Sequence, residues 1–520
     1  MYLTCFLILF FCLTFNLLSL AQENKKEVAL TLEEAIVRAL KQNLNLLAEV
    51  YTIEKSTASL SLAKEIFYPR LEVNFGSNRT EEPSTWWLQS SGTYITKTRS
   101  YDTTITQQLP IGGTLSVSMS NYKNDTNQLF LNFNPYYSTQ LRFSFIQPLL
   151  KNFGPKVAMK EIIIARQNQA ISEAQLKSQV LDTIYQVEEA YWNLVLAREN
   201  LKVKQQSLKL AQDQLAKTQK EIAVGQQAAI EILNVQAAVS QREADIVQAE
   251  GAVRVAEDRL KVILNLASGL DLGNFTIKTL DQPSFQPVKI ELKEAIETAL
   301  ANRPDLQVNA LTVENKQFGL EVARNQLLPQ LDFNVSYWSP GVSGDRILYL
   351  NNNPFTGVII GKVPGSMSNS FRDALKFLYN NWSLNFTLTV PLADYISRAN
   401  YALARTELAQ AQARQKALEQ QILLEVSEAV KNLETMAKSV EAYRVAREYA
   451  EKRLEAETKK LSVGLTTNYF VLEAQEKLAT ARSAELKALI DYNLAVARLE
   501  KVLGTGLRNR NITLAEIGQK

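Results

Sequence analysis

Two stretches decide how this chain is read: Ile222-Ala-Val-Gly225-Gln-Gln-Ala-Ala-Ile-Glu-Ile-Leu-Asn-Val-Gln236 and Leu461-Ser-Val-Gly464-Leu-Thr-Thr-Asn-Tyr-Phe-Val-Leu-Glu-Ala-Gln475. Each interrupts a run of helix-forming sequence far longer than an ordinary globular helix, and each puts one Gly at the junction. Glycine accepts a positive φ without a Cβ clash, so it reverses a helix at the least cost. The pattern predicts two long helical hairpins with Gly225 and Gly464 at their tips.

Working outward, Lys156 to Ala223 contains neither Pro nor Gly, and the same holds from Asp394 to Val463. At 1.5 Å per residue each run is about 100 Å of helix. Both are dense in Lys, Glu and Gln, and a bilayer core is only about 30 Å thick, so they belong in water. Leu194, Leu201, Leu208, Leu215 and Ile222 keep a seven-residue spacing; their counterparts are Leu433, Val440, Arg447, Leu454 and Leu461. Sustained heptads predict coiled-coil packing, with one defect at Arg447. The return helices reach about Leu266 and Leu503.

The chain repeats itself. Leu32-Glu-Glu-Ala-Ile-Val-Arg-Ala-Leu40 aligns with Leu292-Lys-Glu-Ala-Ile-Glu-Thr-Ala-Leu300, and Pro69-Arg-Leu71 with Pro329-Gln-Leu331, at an offset of 260. Val224-Gly225, Gln236 and Arg259-Leu260 meet Val463-Gly464, Gln475 and Arg498-Leu499 at an offset of 239. Two fixed offsets mean a duplicated unit with one length change between the anchors. The first repeat spans 22–285, with strands at about 71–147 and a helical hairpin at about 156–266. The second spans 286–520, with strands at about 331–390 and a hairpin at about 394–503. Residues 267–289 read as a polar linker.

Each repeat opens with an amphipathic helix, over 31–66 and 291–327, closed by Pro69 or Pro329. The apolar period then changes from 3.6 to 2. Leu71, Val73 and Phe75 alternate with polar residues, as do Leu141, Phe143 and Phe145. The second repeat has Leu331, Phe333, Val335 and Tyr337, then Trp382, Leu384, Phe386, Leu388 and Val390. The last run is as long as a tilted strand needs to cross a bilayer, about 9–11 residues. A further hairpin turns at Pro110-Ile-Gly-Gly113, joining Tyr101–Leu109 to Leu115–Tyr122. Alternation alone leaves it open whether this pair is an extracellular excursion or belongs with the other strands. Four barrel-type strands cannot close a barrel, since single-chain barrels start at about eight. An open edge in lipid costs several kcal/mol per unpaired group, so other copies of the chain must complete it.

Composition removes most catalytic chemistry. The chain has no His, and its two cysteines, Cys5 and Cys12, lie in an uncharged N-terminal segment ending Ser19-Leu-Ala21. That segment, 1–21, reads as a secretory signal peptide; the alternative is an uncleaved anchor, since no basic residue starts it. Without His or Cys in the mature chain there is no triad, disulfide or thiolate zinc site. No enzyme activity, cofactor or metal is expected. A net charge of +3 gives no reason to expect nucleic acid as a partner.

The order helix–Pro–strand–strand–Pro–long helix–Gly–helix, duplicated, resembles the TolC-like outer-membrane efflux protein family. The resemblance covers nearly all of the mature chain. Its motifs are the entry around Leu32, Ala35 and Ala39, and a Val-Gly pair followed by Leu-x-x-Gln at Leu233/Gln236 and Leu472/Gln475. It implies a mainly α fold with a membrane part: a homotrimeric, twelve-stranded outer-membrane β-barrel in lipid, continued by an α-helical periplasmic tunnel. Such a channel is the exit duct of a tripartite efflux pump or a type I secretion system, with a periplasmic adaptor and an inner-membrane pump as partners. The tips would dock the adaptor through Val224, Gly225, Val463, Gly464 and Leu465, Gln226 departing from the motif. Acidic side chains beyond the tip glycine would narrow the entrance: Glu231 in the first hairpin, and Glu473, with Phe470 at the nearer position, in the second. The plain alternative is that Glu231 and Glu473 are solvated flank residues and that Phe470 packs the return helix. Two other classes are a surface or periplasmic coiled-coil structural or adhesion protein, and an exported enzyme working with carboxylates alone.

Overall fold

The chain leaves strand β1 (Lys26–Leu30) through a capping box, in which Thr31 and Glu34 satisfy each other's backbone N–H groups and start α1 (Leu32–Gln42). The computed structural model describes residues 26–86, 92–225, 228–266, 275–510 and 512; the signal-peptide expectation, with Cys5 and Cys12, lies outside the described residues. The helix expected over 31–66 is two helices. Asn43 divides them, because its carboxamide oxygen accepts from the N–H groups of Asn45 and Leu46 (2.9 and 3.1 Å) and so caps α2 (Leu44–Glu65).

Then come β2 (Arg70–Pro83), β3 (Thr93–Gln108), β4 (Thr114–Thr126) and β5 (Phe133–Pro148). The long hairpin α3 (Lys160–Ala223) and α4 (Glu231–Ile263) precedes β6 (Phe275–Thr279). The second repeat begins with α5 (Leu292–Asn302) and α6 (Pro304–Asn325), divided at Arg303 because Pro304 opens a new helix. It continues through β7 (Gln330–Tyr349), β8 (Ile359–Val363), α7 (Met367–Leu375) and β9 (Asn381–Thr389) to α8 (Tyr395–Ser462) and α9 (Asn468–Leu503).

Two compact units cut across the repeats, one of Glu54–Ile171 with Ala310–Ala413, the other of the remaining segments. The first holds an antiparallel sheet ordered β2-β3-β4-β5-β7, with β8 and β9 both pairing β7. β9 pairs residues 330–338 of β7 and β8 pairs 346–349, on the edge that β5 leaves free, so the sheet is six strands wide. The resemblance implies four strands per chain; the hairpin around Pro110 supplies two more, as β3 and β4 inside the sheet.

Register puts the apolar rows on one face. Leu71, Ile105, Val117, Phe143, Tyr337 and Trp382 stand directly across from one another along the six strands. One residue along, Glu72, Thr104, Ser118, Arg142, Trp338 and Asn381 make the opposite face polar. Because side chains alternate with a strict period of two, a slip of one residue on any strand would turn its apolar row to the polar face. Leu71, Phe143, Trp382, Leu384, Phe386 and Leu388 are exposed, as is nearly all of the edge strand β2.

The second unit is helical. Leu194, Tyr191, Leu260, Leu264 and Ile277 are fully buried in one cluster with Ala35, Ile36 and Leu46. Each such aliphatic side chain contributes about 2 kcal/mol by leaving water. The polar linker is partly ordered into the fold: Ile277 anchors β6, which pairs in parallel with β1. Five residues of Phe-Thr-Ile-Lys-Thr are too few to separate a strand from a linker by pattern alone. The Tyr191 hydroxyl donates to Asp281 (2.8 Å) and accepts the N–H of Leu280 and Asp281, fixing the segment after it. A second cluster joins Ala295 and Ala299 of α5 to Ile422, Val426 and Leu433 of α8 and to Tyr492 and Leu499 of α9.

Two heptad expectations are refined. Along α3 only Leu194 of the leucine row is buried; toward the tip the buried stripe is Ser207, Ala211, Gln214 and Thr218. The Arg447 defect is an ion network instead of an apolar knob. Arg447 meets Glu451 (2.9 Å) on its own helix and Glu485 (2.8 Å) on α9, and Glu451 meets Arg482 (2.6 Å). The Arg482 guanidinium holds the Glu451 carboxyl below its ordinary range.

Candidate functional site

Both tip glycines adopt the conformation for which the sequence supplies them. Gly225 has φ 78° and Gly464 φ 74°, in the left-handed region. At the second tip Leu465 donates to the carbonyl of Lys460 (2.9 Å) and Gly464 to that of Leu461 (3.1 Å). This pairing satisfies the last carbonyls of α8. At the first, Gly225 donates to Ile222 (3.0 Å); Gln226 lies outside the described residues. A Cβ added at either glycine would meet nothing within 4 Å, so the backbone angle alone demands Gly.

Three apolar residues beside these glycines stand in solvent. Val224 is 69% exposed, Val463 68% and Leu465 78%. Tyr469 and Phe470 are exposed as well, their rings edge to face at 5.5 Å. Glu231 is the first residue of α4, where the helix dipole favours a carboxylate. Its Oε2 is shielded from solvent and has no hydrogen-bond partner. Glu473 lies on α9 and is paired twice, with Lys477 (2.6 Å) and with Arg453 of α8 (3.3 Å). The bond from Lys477, with Arg453 adding to it, holds the Glu473 carboxyl below the usual range.

One buried side chain that sequence reasoning missed ties the hairpins together. Arg242 of α4 donates to Gln475 Oε1 (3.1 Å) and the Leu472 carbonyl (3.3 Å) on α9, and to the Ser207 carbonyl (3.0 Å) on α3. Gln214 of α3 also donates to Asn468 Oδ1 of α9 (2.5 Å), both buried. Thus Leu472 and Gln475 of the second hairpin are engaged, while Leu233 and Gln236 of the first are exposed. The signal for Arg242 was a break in the repeat: the offset of 239 places it opposite Ala481. Among the described residues no cluster of three or more acidic, His or Cys side chains could hold a metal ion.

A sheet with an exposed apolar face, carried on a chain with two long polar hairpins, is the makeup of an outer-membrane channel. The family model for outer membrane efflux proteins matches residues 111–266 and 295–505, and the chain belongs to that family. Its sheet is the membrane β-barrel part and its long helical hairpins stand in the periplasm. No curated protein matches it in sequence. Its fold is similar to that of the Campylobacter jejuni CmeC outer membrane channel, at 16% identity, covering 91% of this chain and 86% of that one with a TM-score of 0.62. The outer membrane protein VceC from Vibrio cholerae is similar at 14% identity, covering 91% and 96%, TM-score 0.61. The Neisseria gonorrhoeae MtrE outer membrane channel in its open state is similar at 17% identity, covering 92% and 89%, TM-score 0.61.

Proposed function

We propose that the chain assembles as a homotrimer and serves as the exit duct of a tripartite efflux pump or type I secretion system, docking a periplasmic adaptor at its two hairpin tips. The observation that carries this reading is the exposure of Val224, Val463 and Leu465 around two glycine-made turns. Apolar side chains at the end of an otherwise polar hairpin cost solubility unless a partner covers them. Trimerisation draws on two further features. The sheet ends in unpaired edges at β2 and at β9, which lipid does not tolerate. On α4, Val247, Val255 and Val262 form an exposed stripe with Gly251, where a neighbouring helix can approach closely. Glu231, Glu473 and Phe470 would then narrow the periplasmic entrance, Glu231 with a free carboxylate oxygen and Glu473 through a paired one.

The test separates docking from conduction. The purified chain should form heat-resistant trimers that conduct ions across a planar bilayer. Leu465→Asp should leave that conductance intact while abolishing export in cells that depend on the chain. Undiminished export would overturn the docking role, and a monomeric, water-soluble mature chain would overturn the duct.

A further inference from the structure

On the sheet's apolar face the row of large side chains stops early. Along β7 it runs from Leu331 to Tyr337, matched by Leu388 to Trp382 on β9. Six steps of about 3.4 Å on a strand tilted by about 40° rise only about 16 Å, against an apolar band of about 25 Å for a membrane barrel. Beyond Tyr337 the same face carries Ser339, Gly341 and Ser343, with Thr139 across from Gly341 on β5. Small polar residues there would break the lipid contact, yet Ser339 and Thr139 are completely buried.

Helix α7 covers them. Its buried side is Ser370 and Ala374, and it seats backbone against backbone: a Cβ on Gly341 would lie 2.0 Å from the Ser370 carbonyl oxygen. Ser370 Oγ and Thr139 Oγ1 are 3.0 Å apart, and Thr139 donates onward to Asn121 (2.9 Å). Ser343 Oγ donates to the Ser366 carbonyl (2.7 Å) before the helix, and after it Phe377 stacks on Phe143 and lies against Tyr337. About 100° round the helix from that side, one flank presents Phe371 and Leu375, followed by Leu378 and Tyr379, all exposed, while Arg372 stands opposite the buried pair and Lys376 follows the helix.

We propose that α7 is an interfacial helix on the outside of the barrel, whose Phe371, Leu375 and Leu378 side chains enter the outer leaflet and complete the apolar band that β7 and β9 leave short. The occupant of this face is lipid, because it continues the sheet face that already meets the bilayer. Small residues toward protein, large apolar ones on one flank and basic side chains on the next are what a helix lying at the lipid–water boundary requires, the long basic stems reaching back to the headgroups.

Tryptophan quenching tests this in vesicles containing brominated phospholipid. In one chain Trp382 is kept and the other tryptophans are changed to Phe; in a second, all five are changed to Phe and Leu375→Trp is added, with Phe371→Trp as the alternative reporter if trimers do not form. Trp382 quenched by bromolipid confirms that the sheet faces lipid. The Leu375→Trp reporter should likewise be quenched by bromolipid, emit at blue-shifted wavelength and resist aqueous iodide. Quenching by iodide alone would place α7 in water, and protection from both would show protein covering it; either overturns the proposal. Were Trp382 itself unquenched, the lipid-facing sheet would fall separately.

Discussion

The guanidinium of Arg242, buried on α4, donates to the carboxamide oxygen of Gln475 on α9 at 3.1 Å, so a single side chain fastens one hairpin to the other a few turns from their tips. Its other donors hold two backbone carbonyls. Arg242→Met removes all three charge-assisted bonds and leaves the buried Gln475 carboxamide oxygen without its partner, while the two carbonyls keep their bonds within the helices, at a cost of about 3 kcal/mol. Amide exchange around residues 239–246 and 471–478 should quicken about a hundredfold. Arg242→Lys should recover only part of this, since an ammonium cannot span the same fork of acceptors. Equal exchange in all three chains would show that the contact holds nothing.

If Glu231 and Glu473 line the entrance, Glu231→Gln with Glu473→Gln should lower cation over anion permeability in a planar bilayer. Lys477 and Arg453 hold Glu473 below the ordinary carboxylate range, so its charge persists as pH falls through that range. In Glu231→Gln, where Glu473 alone remains, selectivity should therefore survive acidification through that range. Unchanged permeability in the double variant removes the gate.

Glu188 responds in the opposite direction. Burial raises its carboxyl to about 7, with Arg510 opposing the shift and Glu500 adding to it. Because the folded protein holds this proton more tightly than the unfolded chain, stability through Glu188 is greatest below the unfolded value of about 4.5. It declines as pH rises toward 7, by up to about 3 kcal/mol. Glu188→Gln should flatten the dependence of the unfolding midpoint on pH between about 5 and 7 and raise it at pH 8; a parallel curve would contradict this.

Gly464→Ala has open space around it and a positive φ to maintain, so the turn should lose about 1 kcal/mol without any clash. Gly464→Asn should lose less, because Asn tolerates the left-handed region. Protease sensitivity at the tip, compared with the bulk helices, reads the difference; equal cleavage of all variants would count against the strained turn.

Closure of the barrel can be read from its edges. If three copies join β2 to β9, sheets six strands wide would place eighteen strands around the barrel; without the β3–β4 hairpin the number would be the twelve that the resemblance implies. Cysteine pairs scanned between Leu71, Val73 or Phe75 and Leu384, Phe386 or Leu388 should yield disulfides between copies. Deleting 93–126 should narrow the pore and lower its conductance. Failure of every pair to cross-link would mean that other edges meet.

Much of this architecture was legible because local physics dictates it. Gly225 and Gly464 are the points where two Pro- and Gly-free runs must reverse, and an alternating row such as Trp382 to Leu388 has one apolar face whatever its neighbours. Pro69 and Pro329 end helices in isolation as they do here. Short-range competition escaped the pattern. Asn43 splits a helix through side-chain bonds that look like ordinary polarity in sequence, and β6 is too short to announce itself.

What the tertiary structure alone decided depends on residues far apart in the chain. Whether the hairpin around Pro110 joined the sheet rested on its pairing with both β2 and β5, which alternation cannot express. Arg447 in a leucine row became an ion network because Glu485, on another helix, stands opposite it. Leu472 and Gln475 were visible as motif positions, but their burial under Arg242, and the bareness of Leu233 and Gln236, followed from which helices pack. The two tips already differed in sequence, at Gln226 beside the first glycine and Phe470 beyond the second, though both were legible as turns, since a turn is made by its own few residues. The further inequality belongs to the fold, since a contact needs the partner that only packing brings.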